Sequence, residues 1–106
     1  MNKFDYAKEK IDSAIYSLAT GENDIRTRLV FAAKKFHTLL HDGHLPPELH
    51  LRFLSIWREL TKFNARYVND KEREGPVEHT MKRIKKKTGR RIAEDIMDLR
   101  TELNNF

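Results

Sequence analysis

Apolar side chains recur along this chain at steps of three and four, the spacing of helices buried on one face, and not at the alternation of strands. Phe4, Ala7, Ile11, Ile15 and Leu18 mark a first helix from about Phe4 to Ala19, with Gly21 placed to close it in a left-handed cap. A second helix starts after Asn23-Asp24, either of which can accept hydrogen bonds from its first amides. Its buried stripe is Ile25, Leu29, Ala32, Phe36 and Leu39 or Leu40; Gly43 ends it and Pro46-Pro47 blocks its continuation. A third helix opens at one of those prolines, with Glu48 complementing the dipole of its first turn. Phe53, Ile56, Trp57, Leu60, Phe63 and Tyr67 make it the most aromatic stripe of the chain and the expected centre of the core. The stretch from Asn69 to Pro76 has turn residues at both ends and no apolar side chain, and reads as an exposed connection.

Met81, Ile84, Thr88, Ile92, Ile96, Leu99 and Leu103 then hold one register from Pro76 to about Asn104. This predicts a single long helix running through Gly89; the alternative is two helices meeting at Thr88-Gly89, since a mid-helix glycine costs about 1 kcal/mol against alanine. Short links favour antiparallel neighbours. The expected fold class is all-α, a compact bundle of four helices in one domain over residues 1–106, with Leu29, Phe36, Phe53, Trp57, Leu60, Ile84, Ile92, Ile96 and Leu99 buried.

Composition narrows this picture. With 106 residues, the chain has enough length for one modest core. The absence of cysteine excludes disulfides, thiolate zinc sites and a cysteine nucleophile, and fits a reducing compartment; the expected location is cytoplasmic. Three prolines and four glycines are too few for an all-β chain with a turn every ten residues or so. The longest apolar run, Leu29 to Ala33, is far short of the roughly 20 residues of a membrane span, and Met1 to Asp5 lacks a signal core.

The net charge is +5, but it is not spread evenly. Residues 82–91 hold seven bases and no acid, residues 1–81 a net +1 and residues 92–106 a net −3. The basic character is thus one local feature. On a continuous helix with Ile84, Thr88 and Ile92 facing inward, Arg83, Lys86, Lys87 and Arg90 fall on the opposite side, and Lys82 and Arg91 flank the apolar face. Like charges at this spacing repel by a few tenths of a kcal/mol per pair. Either solvent and nearby acids such as Asp70, Glu72 and Glu74 compensate them, or an anionic partner does.

Other constellations carry less. His37 and His41 are four apart and can share a helix face, with His44, His50 or Glu48 nearby, but Thr38 stands where a His-Glu-x-x-His motif has its glutamate. Ordinary surface histidines explain them, and no metal or cofactor is expected. Glu94, Asp95 and Asp98 are close in sequence, yet Arg90–Glu94 and Arg91–Asp95 pairing accounts for them without acid–base chemistry. Ser13, Ser17 and Ser55 are the only serines, none in Gly-x-Ser-x-Gly, and no phosphate-binding glycine loop occurs. An enzyme is not expected. Phe4, Tyr6, Tyr16 and Phe106 fall outside the central stripe and are candidates for an exposed contact patch.

The segment Val77-Glu78-His79-Thr80-Met81, with Arg83-Ile84, Thr88-Gly89 and Ile92-Ala93, resembles the C-terminal half of a group of small bacterial helical proteins. Ser17-Leu18-Ala19-Thr20-Gly21, Ile25-Arg26, Leu29 and Leu45-Pro46-Pro47-Glu48-Leu49 resemble their N-terminal half. The resemblance implies a bacterial cytosolic protein and brings no catalytic residues with it.

The functional expectation is a non-enzymatic binding protein that uses Lys82, Arg83, Lys86, Lys87 and Arg90 to contact nucleic-acid phosphates or a nucleoprotein. The contact is expected on phosphates rather than base edges, because lysines dominate the segment and no aromatic interleaves them, while Glu94, Asp95 and Asp98 further along the helix repel phosphates and argue against base readout by it. The alternative is a protein-interaction module, or a phage-type regulator, docking on an acidic or nucleic-acid-binding surface. No membrane partner is expected.

Overall fold

A computed structural model describing residues 2–106 shows five α-helices, a 3-10 turn and a two-stranded hairpin. The helices are α1 (Asp5–Thr20), α2 (Ile25–Phe36), α3 (Pro47–Leu60), α4 (Pro76–Arg83) and α5 (Lys86–Leu103). Helices α1 and α2 pack along each other, and α5 lies against α1, α2 and α3. Ala7, Ile11, Ala14 and Leu18 of α1 are buried, close to the predicted stripe. Asp24 caps α2, its carboxylate accepting from the Arg26 amide at 2.8 Å. No helix of the described residues is long and apolar enough to cross a membrane.

Gly21 is extended rather than left-handed. Its lack of a side chain serves a close approach: a Cβ there would collide with the methylenes of Arg28, whose guanidinium donates to the Leu18 carbonyl at 2.7 Å and the Asn23 carbonyl at 2.8 Å. The Leu18 carbonyl in the last turn of α1 is therefore satisfied by an arginine from α2 instead of by a left-handed glycine turn.

Three predicted boundaries are corrected. Helix α2 stops at Phe36 and tightens into the 3-10 turn His37–Leu40, so His37 and His41 do not share a helix face. Helix α3 stops at Leu60, where both the amide and the hydroxyl of Thr61 donate to the Trp57 carbonyl. Phe63 and Tyr67 are thus outside it, and Arg66–Val68 (β1) pairs with Lys71–Glu74 (β2) in an antiparallel hairpin. Asn69 and Asp70 both adopt positive φ, 51° and 62°, the two-residue turn whose twist suits paired strands. The all-α expectation becomes a mostly helical fold with a small hairpin.

The third correction concerns the predicted long helix. It is broken at Ile84-Lys85, both extended, and not at Gly89. No proline or glycine causes the break. The freed Ile84 carbonyl accepts from the Arg26 guanidinium at 3.1 Å, which ties the corner between α4 and α5 to the start of α2. Gly89 sits inside α5 and is buried; a Cβ there would lie 3.1 Å from Ile25 Cγ2, so the glycine lets α5 cross α2 closely.

The core joins Phe36 and Phe53, edge to face at 5.1 Å, with Leu29, Leu60, Ile92, Ile96 and Leu99 around them, all within 1% of full burial. Trp57 stacks on Phe53 at 6.1 Å but is only partly buried, as is Ile84; both pack against the core from its margin. Thr80 of α4 is the one fully buried polar residue of that region. Its hydroxyl accepts from the Phe63 amide at 2.9 Å and donates to the Phe63 carbonyl at 3.3 Å, pinning the segment after α3 onto α4. Thr80→Val keeps the shape and strands both Phe63 groups, so urea unfolding is expected to show a loss of about 1–3 kcal/mol.

Candidate functional site

Because the chain bends at Ile84-Lys85, the seven basic residues between positions 82 and 91 do not form one stripe. They divide between the last turn of α4, the corner, and the first turns of α5. Of the expected set, Lys86, Lys87 and Arg90 come together on the outer face of α5 and are exposed. None has an ion-pair partner among the described residues. Lys85, absent from the expected set, joins them as the residue preceding α5. A register drawn through an unbroken helix places Lys85 beside the apolar stripe; the break exposes it instead.

Lys82 and Arg83 are set apart from that group. Lys82 Nζ lies 2.5 Å from Glu74, which Arg66 also approaches at 2.6 Å. The Lys82 ammonium, and then the Arg66 guanidinium, hold the Glu74 carboxyl below the usual carboxylate range. Of the acids considered as neutralisers, Glu74 therefore takes one base of the cluster. Arg83 lies over the Phe63 ring, 4.7 Å from its centroid, a cation–π contact that fixes where its charge sits.

Arg91 pairs with Glu59 of α3 and with Asp95, the latter at 3.2 Å. This i,i+4 pair is one of the two anticipated, and Arg90–Glu94 is not formed. Arg91 is consequently a strut between α5 and α3.

The α4–α5 corner also has an acid beside it. Asp24 holds Arg26 at 3.0 Å and lies near Lys86. The side chain of Arg26, its backbone amide and the positive field of Arg26 and Lys86 together lower the Asp24 pKa to about 2. A lowered pKa means that this cap contributes its full stabilisation above the ordinary carboxylate range near pH 4 and loses it as pH falls through about 2. Asp24→Asn is therefore expected to flatten the acid limb of a stability–pH curve between those values, read by thermal unfolding.

Between the end of α3 and this corner runs an open groove of about 740 Å³. Arg58 and Lys62 of the α3 side face Arg83, Lys85 and Arg91 across it, with Glu59 its only acid, and Phe63, Ile84 and Ile92 supply apolar lining. Arg58 and Lys62 are not among the expected residues, since they lie twenty or more positions from the basic run in the chain. Only the folding of α3 against α5 brings them near it.

The histidines do not converge. His37 sits on the Lys34 carbonyl, His44 stacks against Tyr6 at 4.8 Å, and His50 lies 3.1 Å from Asp42. No group of three or more potential metal ligands occurs among the described residues. Compared with protein-family models, curated proteins and solved structures, the chain matches none.

Proposed function

We propose that this protein binds nucleic acid through its phosphates, using Lys85, Lys86, Lys87 and Arg90 at the start of α5. The observation that carries the reading is where the charges stand. Lys85, Lys86 and Lys87 occupy the positive end of the α5 dipole, with no acid in its first turn. Each cation placed there opposes a dipole interaction of about 0.3–1 kcal/mol that an acid would gain, and each also repels its neighbours. Acids stand further along the same helix, at Glu94, Asp95 and Asp98. The distribution is thus the reverse of the one that stabilises a lone helix. An anion at the first turn offsets both penalties and meets unpaired amides as well as ammonium groups.

The contacts fall on phosphates, with little sequence preference. Lysines supply point charges rather than forked base readers, and acids follow on the helix after its second turn. The reading is tested by fluorescence anisotropy of a labelled oligonucleotide over a salt series. The expected log–log slope is about −0.9 for each phosphate neutralised on duplex, so four contacts give a slope near −3.6. Saltless behaviour, or no binding at about 50 mM salt, leaves the basic corner as a solvated face or a protein-docking surface.

A further inference from the structure

We propose that the groove between α3 and the α4–α5 corner takes an unpaired stretch of a nucleic-acid strand. The inference rests on the phosphate-binding reading above and goes beyond it, because it names the form of nucleic acid and adds a second wall to the interface. Two properties of the groove carry it.

The first property is charge. Arg58, Lys62, Arg83, Lys85 and Arg91 line the groove, and its only acid, Glu59, is engaged by Arg91. Arg58, Lys62 and Lys85 are exposed and have no ion-pair partner among the described residues. These cations stand on both sides of the groove, as a track for a backbone passing between them requires.

The second property is the lining. Phe63 and Ile84, both partly exposed, give the groove apolar surface between its charged walls, with the buried Ile92 beneath them, and Ser55 and Thr88 are its only uncharged polar side chains among the described residues. A duplex keeps its base faces stacked inside and offers phosphates alone, so it has nothing to place on that surface. A single strand offers both phosphates and flat apolar faces. Arg83, held over Phe63 and exposed, presents a guanidinium of the kind on which bases stack. The volume, about 740 Å³, lies in the range of sites that enclose small ligands. With so few neutral donors and acceptors, the groove reads bases weakly, and stacking on it is tolerant of sequence.

The test compares an oligothymidylate with a duplex of equal length at one salt concentration. Wild type is expected to bind the single strand about tenfold more tightly or better, the scale of one stacked base. Arg58→Glu with Lys62→Glu, both on exposed side chains, is expected to erase that preference and leave duplex affinity within about twofold, since the duplex contacts lie on α5. Arg83→Ala is the second variant and is expected to reduce the preference while unfolding as wild type does in urea. Equal wild-type affinities for the two probes, or parallel losses for both in the Arg58/Lys62 variant, overturn the groove proposal and leave the phosphate reading standing. Binding to neither probe removes both.

Discussion

Phe53→Ala is expected to lower the unfolding free energy by about 3–5 kcal/mol, the range for removing a buried aromatic ring. Phe53 is fully buried at the middle of α3, edge to face with Phe36 and stacked on Trp57. Truncation removes contacts on both sides of the ring, and the helices that frame it cannot close the space without shifting α5 against α3. A chain of this size has about 5–15 kcal/mol of stability, so the change consumes a large share of it. Urea unfolding followed by tryptophan fluorescence reads the loss directly, because Trp57 is the only tryptophan and lies on the altered ring. Trp57→Ala is expected to cost less. Trp57 keeps one side in water, contrary to its expected place at the core's centre, and therefore has less apolar surface to return to solvent.

The second large effect is on binding. Lys86→Glu with Lys87→Glu and Arg90→Glu is expected to reduce nucleic-acid affinity by on the order of 10²–10³-fold near 0.1 M salt, and to flatten the salt slope by about 2.7. Each removed cation forgoes the release of roughly one counterion, and the new carboxylates add repulsion. Stability is expected to hold within about 1 kcal/mol, because acids in the first turn of α5 favour its dipole while Asp24 loses the attraction of Lys86. That separation of binding from stability distinguishes a ligand-directed charge cluster from one that merely supports the fold. A protein whose stability falls in parallel with its binding contradicts the assignment.

How much of this was legible in the sequence follows from which forces are local. The inward faces of α1, α2, α3 and α5 were readable, since helical spacing of apolar residues is a property of the segment itself. Asp24 as the cap of α2 was readable for the same reason. The break at Ile84-Lys85 was not, because no glycine or proline marks it; it depends on Arg26, fifty-eight positions away, reaching the Ile84 carbonyl. Gly89, the local signal that suggested a break, serves close helix packing instead. The end of α3 was hidden because Phe63 and Tyr67 continue the helical spacing by chance, while Thr80 holds the Phe63 backbone out of the helix. Asn69-Asp70 beside Tyr67-Val68 was the available hairpin signal, a two-residue turn next to strand-favouring side chains. At the site, the exposed group Lys86, Lys87 and Arg90 was legible from charge and register alone. The pairing of Lys82 with Glu74, the seat of Arg83 on Phe63 and the arrival of Arg58 and Lys62 all required the tertiary fold.

The most direct measurement is an amide ¹⁵N–¹H titration of the full chain with a short unlabelled oligonucleotide at low salt. Shifts are expected to concentrate on Arg83 to Arg91, extend across the groove to Arg58 and Lys62, and shrink as salt is raised, with α1 unmoved. Shifts centred elsewhere, or a spectrum unchanged at saturating oligonucleotide, contradict it.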